Sequence, residues 1–226
     1  MEHLPFYISI VFGFTTLLTV ILFYVASNKS GTVMAVCAIW LALQAVISRS
    51  FFYTDTQSMP PRFIFLVGPP LLMILFLFIT SKGQQFLDRF NPEVLNLLHI
   101  VRIPVELVLY WLCLEKMVPQ LMTFEGQNFD ILSGISAPII YYLAYIKKSI
   151  GKNALLIWNI VCLLLLLNIV FTAVFSAPFP FQKFAFDQPN IAVLYFPYVW
   201  LPCAIVPLVL LSHLISIRRY FTQTSL

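Results

Sequence analysis

The sequence predicts an all-α integral membrane protein of seven transmembrane helices, with the N-terminus outside and the C-terminus cytoplasmic. Composition is the first support: 61% of the 226 residues are hydrophobic and 10% are charged, against roughly 25% charged in soluble domains. The second is segmentation. Mainly apolar stretches lie at about 5–26, 32–50, 63–80, 93–117, 131–146, 154–176 and 191–217, each near the ~20 residues that a bilayer span needs. The third is charge asymmetry. Along that path Lys29, Lys82, Arg89, Lys147, Lys148, Lys152, Arg218 and Arg219 fall on one side, and Arg49, Arg62, Lys116 and Lys183 on the other. The richer side is expected in the cytoplasm. The whole chain then reads as one polytopic domain, a multi-pass protein of a cytoplasmic (inner) membrane.

The first helix reads as a retained anchor rather than a cleaved signal, because Glu2 precedes it without Lys or Arg and its apolar run is long. Thr15, Thr16 and Thr19 can bond back onto their own helix. The second helix carries Gln44, and an aromatic loop with Asp55, Gln57 and Pro60 follows it. In the third, Pro69 and Pro70 remove backbone donors and are expected to kink or break the helix. Residues 82–90 mix Phe86, Leu87 and Phe90 with polar neighbours, as in a short interfacial segment. Asn91, Pro92 and Glu93 then form a cap, first turn and favourable dipole charge for helix four.

Helix four is the centre of the functional reading. At about 100° per residue, His99, Arg102, Glu106 and Tyr110 share one face. Pro104 is expected to bend the helix among them. From an inner boundary near Val94, His99 lies about 7 Å deep, Arg102 about 12 Å and Glu106 about 18 Å. Charges at such depth cost roughly 3 kcal/mol each and mark functional sites by default. A structural alternative pairs Arg102 with Glu106, four residues apart.

Helix five begins near Asp130, an expected cap, after the oxygen-rich loop Glu125 to Asp130. Helix six carries Asn168, and helix seven carries Pro197, Pro202 and Pro207 and then His213 at the depth of His99. Lys-Ser-Gly, an intramembrane amide, an Asp-Gln-Pro loop and a proline-broken helix occur in both helices 1–3 and 5–7. This order fits a 3+1+3 parallel repeat, a device of transporters. Small sugar-efflux proteins share that plan and about this length. Pro119-Gln120 is similar to their Pro-Gln loop, but here it ends helix four and has no second copy. Pro104-Val105-Glu106 matches half of the Pro-x-Glu-Glu motif of membrane lycopene cyclases, with Leu107 in place of the second glutamate. Neither likeness assigns a family.

The expected function is a transporter or permease for a small solute or ion. Glu106 would be a proton-coupling carboxylate, Arg102 an anion contact, His99 and His213 an inner relay, and Tyr110, Gln44 and Asn168 further polar lining. The alternative is a membrane enzyme or haem- or metal-binding protein acting on a lipid, quinone or isoprenoid from the inner leaflet, with His99 and His213 as the candidate ligands. A third reading is an oligomer or a subunit of a larger complex. No cofactor is predicted outright. Cys37, Cys113, Cys162 and Cys203 lack zinc-site spacing, and no basic stripe with exposed aromatics points to nucleic acid.

Overall fold

The computed structural model describes residues 4–222, so Glu2 lies outside the described residues. Its regular elements are helices: α1 (Phe6–Ala26), α2 (Gly31–Arg49), α3 (Ile64–Ile79), α4 (Ser81–Leu87), α5 (Pro92–Leu98), α6 (Arg102–Leu114), α7 (Ile131–Tyr141), α8 (Lys152–Ser176) and α9 (Val206–Thr222). A 3₁₀ turn over His99–Val101 joins α5 to α6, and π turns extend α7 over Tyr142–Ile146 and precede α9 over Leu201–Ile205.

Among the described residues, five rods are long and apolar enough to cross a membrane: α1, α2, Pro92–Leu114, α8 and Leu201–Thr222. The pair α3 and α4 reaches that length only together, across a bend of 97°, and Ile131–Ile146 is shorter. The molecule is also inverted relative to a soluble protein. Phe14, Ile39, Val46, Phe76, Ile157 and Leu164 are exposed, while Gln44, Asn96, His99, Arg102, Glu106 and Asp130 are buried. A polar interior inside an apolar surface is the arrangement of a multi-pass membrane protein.

The rod Pro92–Leu114 sits at the centre, with α1, α7 and α9 packed on it. Its start follows from sequence: the Asn91 side chain accepts from the Glu93 and Val94 amides, and Pro92 fills the first turn, where no donor is needed. Pro104 cannot donate to the Ile100 carbonyl, and the chain tightens to a 3₁₀ turn at His99–Val101 without separating into two helices. The helix ends at Leu114 rather than near 117, because Lys116 turns into the left-handed region with φ 59°. Gly134 allows α7 to lie directly against α6, since a Cβ there would meet the Ile103 Cγ1 at 2.9 Å.

Several expected breaks fall elsewhere. Helix α3 runs through Pro69 and Pro70. It ends at Thr80, whose hydroxyl accepts from the Gly83 amide, and a Cβ on Gly83 would collide with the Leu77 carbonyl at this corner. The expected helix 191–217 begins at Leu201, because residues 192–199 are a 3₁₀ turn and further turns, a stretch in which Pro197 has no amide hydrogen to give. Two of the proline-freed carbonyls are met from α2. Trp40 Nε1 donates to the Cys203 carbonyl at 2.9 Å, the group that Pro207 leaves free, and Gln44 Nε2 reaches the Phe65 carbonyl, freed by Pro69, at 3.5 Å.

Hydrogen bonds gather the chain reversals into two ends. Asn28 donates to the Arg89 carbonyl, Arg218 pairs with Asp88, Arg219 donates to the Phe90 carbonyl and Tyr220 to Asn153. At the other end, Gln188 donates to the Cys113 and Val118 carbonyls, the Asn190 amide to Ser176, and Arg49 lies 4.7 Å over the Phe196 ring. The two helix triplets, however, pack differently. Helices α8 and α9 are in direct contact, whereas α2 and α3, their counterparts in a 3+1+3 repeat, flank an apolar cavity of about 290 Å³ lined by Cys37, Trp40, Pro69, Pro70 and Met73.

Candidate functional site

The loop between α6 and α7 does not stay at the surface. Met122, Thr123, Asn128 and Asp130 are buried. Gly126 makes its tight turn, since a Cβ there would strike the Gln120 carbonyl. Asp130 precedes α7 but its side chain does not cap that helix. Its carboxylate accepts from Arg102 Nη1 at 2.7 Å, a pair in which the Arg102 side chain is 3% and the Asp130 side chain 6% exposed. The alternative in which Arg102 pairs with Glu106 gives way to a bridge across two elements. The inward loop supplies an anion where a buried cation needs one.

Arg102 also fixes the state of His213. Its Nη1 donates to the Cys162 carbonyl at 3.3 Å, and its Nη2 lies 2.7 Å from His213 Nε2. A guanidinium only donates, so Nε2 carries the lone pair and the ring is neutral. Nδ1–H of His213 then donates to Asn159 Oδ1 at 2.9 Å, while Asn159 Nδ2 donates to the Leu155 carbonyl at 2.9 Å. His99 stacks on His213, with ring centroids 3.9 Å apart and planes 16° from parallel. Ser212 gives its hydroxyl hydrogen to the Leu95 carbonyl and lies 3.4 Å from His99 Nε2.

This geometry does not suit axial haem ligation or a metal bridged by the two histidines. Stacked rings leave no space between their faces, and both nitrogens of His213 are engaged. Among the described residues no group of three or more His, Cys, Asp and Glu is arranged to hold an ion.

Glu106 is placed differently. Its Oε1 accepts from Asn128 Nδ2 at 2.6 Å. The orientation of that amide is set by the backbone, because Nδ2 also donates to the Met122 carbonyl and Oδ1 accepts from the Asp130 amide. Glu106 Oε2 is buried without a partner, as are Asn190 Oδ1, Arg102 Nε and His99 Nδ1. Glu106, Arg102, Asp130 and Asn190 line a cavity of about 100 Å³ between α3, α6, α8 and α9. Its other walls are apolar, among them Phe63, Leu109, Ile169, Pro202 and Val206. On the far side of the network, a cleft of about 110 Å³ bounded by Pro92, Tyr145, Lys152, Arg219 and Tyr220 has Asn159 in its wall.

Of the residues expected from sequence, the structure brings together His99, Arg102, Glu106 and His213. Tyr110 instead stacks on Phe124 of the loop, centroids 5.0 Å apart, and does not line the cavity. Gln44 is buried against Tyr53, whose hydroxyl donates to its Oε1 at 2.5 Å. Burial pushes that phenol up to about 12, so it remains a donor. Asn168 lies on the exposed face of α8 and donates to the Gln127 carbonyl. Neither amide lines the cavity. Sequence reasoning missed the roles of Asn128, Asp130, Asn159, Asn190 and Ser212. For Asn159 a signal was present: it shares a helical face with Cys162, Leu166, Ile169, Thr172 and Ser176, the buried side of α8.

No curated protein and no solved structure matches the chain. A family model does match residues 59–221, the part that holds the central rod, the inward loop and the cavity; its description is domain of unknown function (DUF8737), and the chain belongs to that family.

Proposed function

We propose that this chain is a seven-span protein of a cytoplasmic membrane, N-terminus outside, that takes a small amphipathic molecule of the lipid, quinol or isoprenoid class into the cavity beside Glu106. The observation that carries the reading is an unpartnered, buried carboxylate oxygen facing a cavity whose walls are otherwise almost wholly apolar. A hydrophilic solute would leave its polar groups unpaired against those walls, whereas an apolar body with one polar head satisfies both. Glu106 would hold the head and exchange a proton with it, and the Arg102 network would keep that end of the site rigid.

A second reading, a proton-linked permease, has its own support. Asn159, His213, Arg102 and Asp130 form a hydrogen-bonded chain from the cleft near Lys152 to the cavity. Native mass spectrometry of the detergent-purified protein tests the first reading. Wild type is expected to carry a small amphipathic adduct that Glu106→Gln loses while remaining folded. An adduct-free wild type whose liposomes move a hydrophilic solute under a proton gradient would overturn it in favour of the permease.

A further inference from the structure

We infer that the polar head bound in this cavity is a protonated primary or secondary amine. The inference rests on the amphipathic-ligand reading above and names the chemistry of the head.

Two acceptors in the cavity wall lack donors, Glu106 Oε2 and Asn190 Oδ1, and both residues are 1% exposed. Neither is an ambiguity of side-chain assignment. Asn190 is oriented by its Nδ2, which donates to the Ala173 carbonyl at 3.2 Å, and Glu106 by the backbone-anchored Asn128 amide. The wall thus offers an occupant two oxygen acceptors, beside one unpartnered donor, Arg102 Nε, and an occupant with two N–H groups carries a donor for each oxygen.

Charge points the same way. Arg102 is the cation in the cavity wall, and its terminal nitrogens are committed to Asp130, the Cys162 carbonyl and His213. Asp130 neutralises it at 2.7 Å, and His213 is neutral by the donor argument above. Glu106 has no cation of its own in direct contact, and an ammonium in the cavity would hold it in the ionised form. A buried carboxylate in apolar surroundings is strongly stabilised by a cation brought by the ligand. An ammonium supplies the charge and the two donors at once. A hydroxyl supplies one donor and no charge, and a trimethylammonium supplies charge without a donor.

Isothermal titration calorimetry on the purified protein, with 2-phenylethylamine, 2-phenylethanol and phenethyltrimethylammonium as matched probes, tests this at a pH where the amine is charged. The amine is expected to bind roughly tenfold to a hundredfold tighter than the alcohol, with the trimethylated probe weaker than the amine. Glu106→Gln should remove most of that preference, and Asn190→Leu should remove part of it. Equal affinity for amine and alcohol, with each displacing the other, overturns the amine assignment and keeps the amphipathic cavity. No binding of any probe to folded wild type, or binding that Ala173→Phe in the cavity wall leaves unchanged, overturns both. Thermal melts of each variant separate loss of binding from loss of fold.

Discussion

The buried polar groups of this protein fall into two halves that differ in how they are satisfied. Around Arg102 the network is largely paired: an ion pair with Asp130, a neutral His213 held between Arg102 and Asn159, and a stacked His99, with Arg102 Nε and His99 Nδ1 left without partners. Around Glu106 it is open, with one oxygen held by Asn128 and the other, like Asn190 Oδ1, facing a cavity without a partner. A half-satisfied polar group is costly in a dry interior. Persistence of that cost at two acceptors in a cavity wall is the mark of a site that another molecule completes. The paired half is then scaffold, and the open half is where function is exposed to change.

Substitutions can break or sharpen this division. Asp130→Asn removes the carboxylate in contact with the buried Arg102 guanidinium, and unfolding in detergent should show a loss of about 3–5 kcal/mol. Next comes Gly134→Ala, whose new methyl presses Ile103 and forces α7 off α6; a loss of about 1–3 kcal/mol in the same assay is expected. Trp40→Phe keeps the ring but strands the Cys203 carbonyl that Pro207 frees, worth about 1 kcal/mol, with no change in ligand binding because the bond lies outside the cavity. Glu106→Gln should change stability least, by under about 1 kcal/mol, since Gln still accepts from Asn128. Were Glu106→Gln to cost more than Asp130→Asn, the ranking of the two halves would be wrong.

The polar face of the central rod was legible in the sequence because it needs only helical spacing. His99, Arg102 and Glu106 recur every three or four residues in an apolar run, and the cap at Asn91 sets where that run starts. What spacing could not show was the partners. Asn128 and Asp130 lie in a polar loop, and local sequence says loop without saying that the loop turns inward to meet a buried arginine. Asn159 and Asn168 are the same residue type on one helix. Nine residues apart is two and a half turns, so they face opposite ways, and only the inward one reaches His213. The prolines were equally one-sided signals. They mark missing donors, but whether a helix breaks depends on neighbours such as Trp40 and Gln44 that satisfy the freed carbonyls, and those contacts are non-local.

The most direct measurement is equilibrium unfolding of Asp130→Asn and Glu106→Gln side by side in one detergent, free of added ligand. A loss of several kcal/mol for Asp130→Asn, with Glu106→Gln unfolding like wild type, is the result that a paired scaffold and an open site predict. Equal large losses for both would place Glu106 inside the scaffold and contradict the division on which the functional reading stands.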